Sequence, residues 1–385
     1  MDNMQGNVMN TAGVNPQVNM MNTAGGNPQV NMMNGPVNNM ALKPARTEME
    51  DVTPVEKAYS RMGFALAIWT VLFMGTVIGL TLLLGKVFPE LSKNNIYTLL
   101  KGTLPIYLFI PVILLVAKGL PKTIKPEGNI KKSFYLSIIP MCYTFMIAGN
   151  MIGLVLQTIV KMITGGETRN TTVNLVLSSN PVIIITLVVV IGPFFEEFVF
   201  RKILLDKLSG YNEMIAILMS GLLFGLFHMN FYQLFYAMAI GILFAVVYTK
   251  TGKIVYNWIL HMIFNFMGGM IPALLSSKME ISQFQRFLIE MSTTTDSAKS
   301  AELLQEFFSN PIYLCYMGLS FFNMGMAVLG LVLLVINFRK FIIPSSGPAI
   351  PKGKRLTSTL LTVGMIVYII LLLGLTVFEM MMGTK

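Results

Sequence analysis

Met62–Gly85 contains no Asp, Glu, Lys or Arg, and runs of the same kind recur along the rest of the chain. A helix needs about 20 predominantly apolar residues to cross a hydrocarbon core about 30 Å thick, so each run is a candidate membrane span. The others are Gly102–Ala117, extended back towards Ile96 with Lys101 snorkelling at a membrane end, Phe134–Val160, Thr171–Phe195, Met214–Thr249, Ile254–Ser277, Phe307–Phe338 and Thr357–Phe378. Met214–Thr249 is too long for one span, and the corner at Met229 and Asn230, with the polar Gln233, divides it into a hairpin of two helices. The expected fold class is all-α, a polytopic membrane helix bundle of eight or nine transmembrane helices. Only 12% of the 385 residues are charged, against about 25% in a soluble domain. That excludes the two or three soluble domains suggested by length alone.

A formal net charge of +10 would point a soluble protein towards nucleic acid. Here its distribution along the chain carries topology instead. With the N-terminus in the cytoplasm, loops 118–133, 201–213, 250–253 and 339–355 face inward with net charges of about +4, +1, +2 and +5, counting Lys and Arg against Asp and Glu. Loops 86–95, 161–170 and 278–306 face outward with about +1, +1 and −2. Lys and Arg accumulate on the cytoplasmic side of membrane proteins. The expectation is an integral multi-pass protein of the cell membrane with a cytoplasmic N-terminus and no nucleic-acid partner. Loop 278–306 has an amphipathic periodicity suited to the outer interface.

Residues 1–56 hold no span. Asn10–Met21 and Asn22–Met33 repeat a twelve-residue unit that differs only at Val14 and Gly26. A stretch rich in Asn, Met, Gly and Pro cannot bury a core and predicts a disordered cytoplasmic tail, and its start lacks the apolar stretch of a cleaved signal peptide. The organisation expected beyond it is N-terminal spans over 57–170, a core that carries the chemistry over 171–277, an extracytoplasmic loop over 278–309 and C-terminal spans over 310–385. Cys142 and Cys315 lie in separate apolar runs and spell neither a disulfide framework nor a cysteine zinc site.

Ionisable side chains inside spans are costly and mark functional sites by default. Glu196, Glu197 and Arg201 end the fourth run in G-P-F-F-E-E-F-V-F-R-K; His228 closes F-G-L-F-H; His261 and Asn265 share H-M-I-F-N. Glu197 and Arg201 are four apart, the spacing at which a carboxylate meets a guanidinium one turn on. Glu196 points about 100° away and stays available. His261 and Asn265, also four apart, place an imidazole and a carboxamide on one face, where both could donate to an oxyanion. At about 1.5 Å per residue His261, Glu196 and His228 lie about 12, 16 and 22 Å from the nearest loop charges, depths that let them meet. Gly192-Pro193 reads as a packing kink or as a break that opens a cavity beside the glutamates. The plainer readings are a solvated helix terminus for the glutamates and interhelical hydrogen bonds for each His.

The order Glu-Glu-x-x-x-Arg, Phe-x-x-x-His and His-x-x-x-Asn, here Glu196, Glu197 and Arg201, Phe224 and His228, His261 and Asn265, resembles the CPBP intramembrane protease family. That family comprises the CAAX prenyl endopeptidases of the Rce type and the bacterial Abi proteins. The resemblance covers residues 180–270, with Lys202 where a small Gly is common. It implies an all-helical membrane enzyme that hydrolyses a peptide bond of a membrane-associated or lipidated protein or peptide, with the lipid bilayer as its other partner. It implies that Glu196 with His228 activates a water, that His261 with Asn265 stabilises the oxyanion, and that Glu197, Arg201 and Phe224 support them. The expected cofactor is none; the alternative is zinc on Glu196, His228 and His261, although no His-Glu-x-x-His helix is present.

Two other functions fit the same residues: a catalytically idle immunity or scaffold protein of the family, and a proton-coupled transporter using Glu196 and His228 as a relay. A transporter has no need of His261 with Asn265, and the halves lack an evident inverted repeat. The charge distribution predicts that a tag fused after Lys385 is digested by protease added to intact spheroplasts; a protected tag contradicts the assigned orientation.

Overall fold

The computed structural model describes residues 47–92, 94–121, 128–164, 180–279, 281–343 and 348–382. The twelve-residue repeat, Thr171–Ser179 and parts of loops 118–133 and 161–170 lie outside them. The helices that matter here are α1 Thr53–Val87, α2 Asn95–Val116, α3 Lys132–Thr164, α4 Pro181–Leu208, α5 Glu213–Phe227, α6 Phe231–Thr251, α7 Ile254–Ser276, α8 Ile281–Thr293, α9 Ser297–Ser309, α10 Pro311–Asn337 and α11 Val363–Met382. Among the described residues seven helices are long and apolar enough to cross a membrane, and α5 and the apolar part of α11 are shorter. Strand structure among the described residues is limited to one isolated bridge between Glu48 and Ala349. The all-α membrane bundle read from the sequence is the observed architecture.

Two packed groups make up the bundle. In the first, α1 is flanked by α2 and α11, and its buried Trp69 stacks on Phe227 of α5 at 5.0 Å and donates from Nε1 to Ile106 O of α2. The crossing of α1 and α11 depends on Gly63 and Gly364, since a Cβ on either would overlap the other helix's backbone. In the second, α3 lies between α6 and α10, with Phe134, Ile138, Phe244 and Leu260 in its core. On α10 the outward side chains Phe321, Val335 and Ile336 are exposed, as a lipid-facing helix requires.

Four sequence-based boundaries change. First, α4 continues past the glutamates to Leu208, so Glu196 and Glu197 are inside a span and not at its end. Arg201 satisfies Glu197 within the helix, so the charges need not end it. Second, α5 runs for 15 residues, about 22 Å at 1.5 Å per residue. It falls short of a hydrocarbon core, and the hairpin corner lies at membrane depth. Non-helical backbone is tolerated there only beside protein or a cavity. Asn230 meets the demand, accepting from the Gln233 amide at 2.9 Å and donating from Nδ2 to His228 O at 3.0 Å. Third, α11 starts at Val363, not Thr357, because Thr357, Ser358, Thr359 and Thr362 turn their hydroxyls back to nearby carbonyls, which competes with helix. Fourth, the run from Phe307 is split: Asn310 caps the Ile312 amide and Pro311 begins α10. Residues before it belong to the amphipathic pair α8 and α9.

Candidate active site

In α4 the two glutamates occupy a short α-helical stretch, Gly192–Glu197, between two wide turns with π geometry, Ile185–Ile191 and Phe198–Leu205. Such turns recur at functional sites, and here the sequence supplies a cause. The Gly192 amide bonds Leu187 O, five residues back. The next amide in that register belongs to Pro193, which has none, so Val188 O needs another donor. Asn265 of α7 provides it from Nδ2 at 3.0 Å, and Trp258 donates to Val190 O at 2.8 Å. The Gly-Pro break thus ties α7 to α4, and α7 itself opens a wide turn at Asn265.

Glu197 is fully buried and holds three donors. Arg201 Nε reaches Oε2 at 3.0 Å, Asn257 Nδ2 reaches the same oxygen at 3.1 Å, and His261 Nδ1 lies 3.0 Å from Oε1. Arg201, also fully buried, donates from Nη1 to Ser220 Oγ at 2.6 Å, and Ser220 Oγ in turn donates to Phe200 O at 2.9 Å. The second N–H of Asn257 goes to Phe244 O of α6 at 2.7 Å. The attraction within a buried charge pair repays its desolvation only with further hydrogen bonds; α4, α5, α6 and α7 each contribute to these, while Arg201 Nη2 and Asn257 Oδ1 have no hydrogen-bond partner among the described residues.

This network orients His261. Its Nδ1 lies 3.0 Å from Glu197 Oε1 and its Nε2 3.6 Å from Glu196 Oε2; with the proton on Nδ1, directed at the Arg201-paired carboxylate, Nε2 presents its lone pair to Glu196. Glu196 is the less buried glutamate, and its Oε2 has no hydrogen-bond partner among the described residues. Oε2 itself is buried, whereas the Glu196 side chain as a whole is partly exposed and lines a cavity. Glu196 thus has His261 beside it and shares the cavity with His228, whose ring forms no hydrogen bond among the described residues.

His228 still belongs to the site. With Glu196, His261 and Asn265 it lines a cavity of about 340 Å³ that also reaches Trp69 and Tyr107. The residue after it, Met229, has φ 51°, an uncommon conformation for a residue other than Gly; it turns the chain sharply just beyond the imidazole. Phe224 joins the parts: its ring packs edge-on against His228 at 5.1 Å and His261 at 5.8 Å, with the Arg201 guanidinium over its face at 5.1 Å. All seven residues singled out in the sequence therefore meet in one place.

Sequence reasoning missed Asn257, Ser220 and Tyr107. Asn257 precedes His261 by the same four residues that separate His261 from Asn265, so its signal was present. Ser220 and Tyr107, whose ring stacks on Phe195 at 4.4 Å, carry no local pattern. Among the described residues no three His, Cys, Asp or Glu side chains converge as a metal set. Glu196 and His261 offer two facing donors without His228 as a third, so the residues do not fit the three-ligand zinc site considered above.

Residues 178–267 match the family described as "Type II CAAX prenyl endopeptidase Rce1-like". The CPBP resemblance holds on this segment. It contains every residue of the network and cavity motifs, from the Gly-Pro break to Asn265. A Bacillus subtilis (strain 168) protein named "Putative membrane peptidase YdiL" is 34% identical over 162 residues, 40% of this chain and 64% of that relative. The chain therefore spans less than two thirds of the relative's length. No solved structure matches.

Removing Arg201 while Glu197 stays leaves a buried carboxylate short of its cation. Arg201→Met is expected to lower stability by about 3–5 kcal/mol, read as a loss of thermal stability in detergent. Much of the loss should return in the double variant Arg201→Met, Glu197→Gln. A single variant as stable as the parent contradicts the network.

Proposed function

We propose that the chain is an intramembrane endopeptidase, hydrolysing a peptide bond of a membrane-associated or lipidated protein or peptide with a water activated by Glu196 beside His261. The observation that carries this reading is the line Glu196, His261, Glu197: a carboxylate at the cavity beside an imidazole whose other nitrogen is held by a buried carboxylate. A second carboxylate that sets tautomer and stabilises the imidazolium is how a histidine is made an effective base.

A water in the cavity that donates a hydrogen bond to the Glu196 carboxylate, beside His261, has its lone pair free for a carbonyl carbon. As the C–O bond forms, one of the water's protons passes to Glu196. The oxyanion is met by the second N–H of Asn265 and by a ring N–H of His228, which line the same cavity. Collapse breaks the C–N bond, and Glu196 returns the proton to the leaving amine. Positioned acid–base groups contribute about 10²–10⁴-fold and one oxyanion donor about 10²–10³-fold. His228 thus takes the donor side, in place of the base role implied by the resemblance. No step requires a metal. With the N-terminus cytoplasmic, as the loop charges favour, the protein is a multi-pass enzyme of the cell membrane.

Purified in detergent and assayed on lipidated and plain membrane-segment peptides, the chain is expected to cleave. Glu196→Gln and His261→Ala should each lower kcat by about 10²–10⁴-fold, and activity should persist in strong chelator. Cleavage indifferent to both substitutions overturns the catalytic assignment. Loss in chelator with restoration by zinc overturns the metal-free mechanism, and binding without cleavage by the unaltered chain favours the idle-binder reading.

A further inference from the structure

A second cavity of about 390 Å³ adjoins the first. The two share Val188, Gln233, Tyr236, Phe264 and Asn265, so the Asn265–Val188 hydrogen bond that ties α7 to α4 stands on the wall between them. Each has the size of an ordinary ligand pocket. From that wall the second cavity extends past Met146 and Asn150 of α3 and Ala273 of α7 to Tyr316 of α10. There Phe284 of α8 packs against Tyr316 at 6.3 Å, so the amphipathic pair covers its far end.

The two cavities differ chemically. The first contains Glu196 and both histidines. No Asp, Glu, Lys or Arg among the described residues lines the second, whose polar groups are the amides of Asn150, Gln233 and Asn265 and the hydroxyls of Ser276 and three tyrosines. Amide side chains both donate and accept, as a peptide backbone requires of its surroundings, whereas an unpaired charge brought there would find no counterion and be rejected. Gly269 also lines this cavity, and a Cβ on it would meet nothing within 4 Å.

We infer that the two cavities are lobes of one extended peptide site, in which the chain on one side of the bond at Asn265 lies in the second lobe and must be uncharged there. This rests on the peptidase reading for the identity of the bond, but binding can be read separately from cleavage.

The test uses the Glu196→Gln chain in nanodiscs with an N-acetylated, C-amidated octapeptide of Ala, Gln and photo-leucine, and the same peptide with Lys in place of Gln. After irradiation, labelled residues are mapped by mass spectrometry. The neutral peptide is expected to label both the α2 side of the first lobe, around Ile106 and Tyr107, and the second lobe, around Met146 and Ala273. The Lys peptide should label the second lobe at least tenfold less. Gly269→Leu, and independently Ala273→Leu, should abolish second-lobe labelling while first-lobe labelling remains. Labelling confined to the first lobe, equal labelling by the two peptides, or no labelling overturns the inference. Two-lobe labelling with no cleavage of any peptide by the unaltered chain overturns the peptidase reading alone; cleavage with first-lobe labelling alone overturns only the second lobe.

Discussion

A carboxylate removed from water into a helix bundle that spans a membrane must find its compensation within the protein, and Glu197 finds it in Arg201, Asn257 and His261. Those partners come from α4 and α7, and through Ser220 and Phe244 O they fasten α5 and α6 as well. Desolvating such a group costs several kcal/mol even after relaxation, so the four helices are held in one relative arrangement by the need to keep it bonded. The orientation of the His261 ring follows from the same carboxylate, 3.0 Å from Nδ1. Structural and chemical roles are divided between adjacent residues: Glu197 is saturated, Glu196 is not.

Backbone accounting supplies the second constraint. Wide turns leave carbonyls out of the ordinary ladder, and at membrane depth each must be met by protein. Pro193 removes the amide that would serve Val188 O, and Asn265 takes its place. One N–H of Asn265 is thereby committed to architecture and the other remains for the cavity. The short α5 works similarly: its end brings His228 to the cavity because Asn230 satisfies the corner that a full span would not have.

Much of this was legible in the sequence, for identifiable reasons. Uncharged runs gave the spans, because hydropathy and length are local properties. The Glu197–Arg201 pair followed from helical spacing, and the corner at Met229 and Asn230 from an interrupted apolar run. The segment 178–267 that matches the Rce1-like family is where the spaced polar residues were concentrated. What could not be read was which side chains face one another across helices. Glu196 lies 3.6 Å from His261, a relation between residues 65 positions apart fixed by the crossing of α4 and α7. The run of α4 past its glutamates was hidden because charges suggest a membrane boundary unless their partners are known. Asn257 carried its signal in the same four-residue spacing as Asn265, unrecognised because a lone Asn in a span is commonplace.

The central claim is that Glu197 fixes His261 with its proton on Nδ1 and its lone pair towards Glu196. Two histidines in the chain make this directly observable: ¹⁵N-histidine labelling of the His228→Gln protein leaves one imidazole, whose ring nitrogen shifts report its tautomer. The account predicts a neutral ring protonated at Nδ1 near pH 8, with that preference lost in Glu197→Gln. A ring protonated at Nε2, or a tautomer indifferent to Glu197, would contradict it.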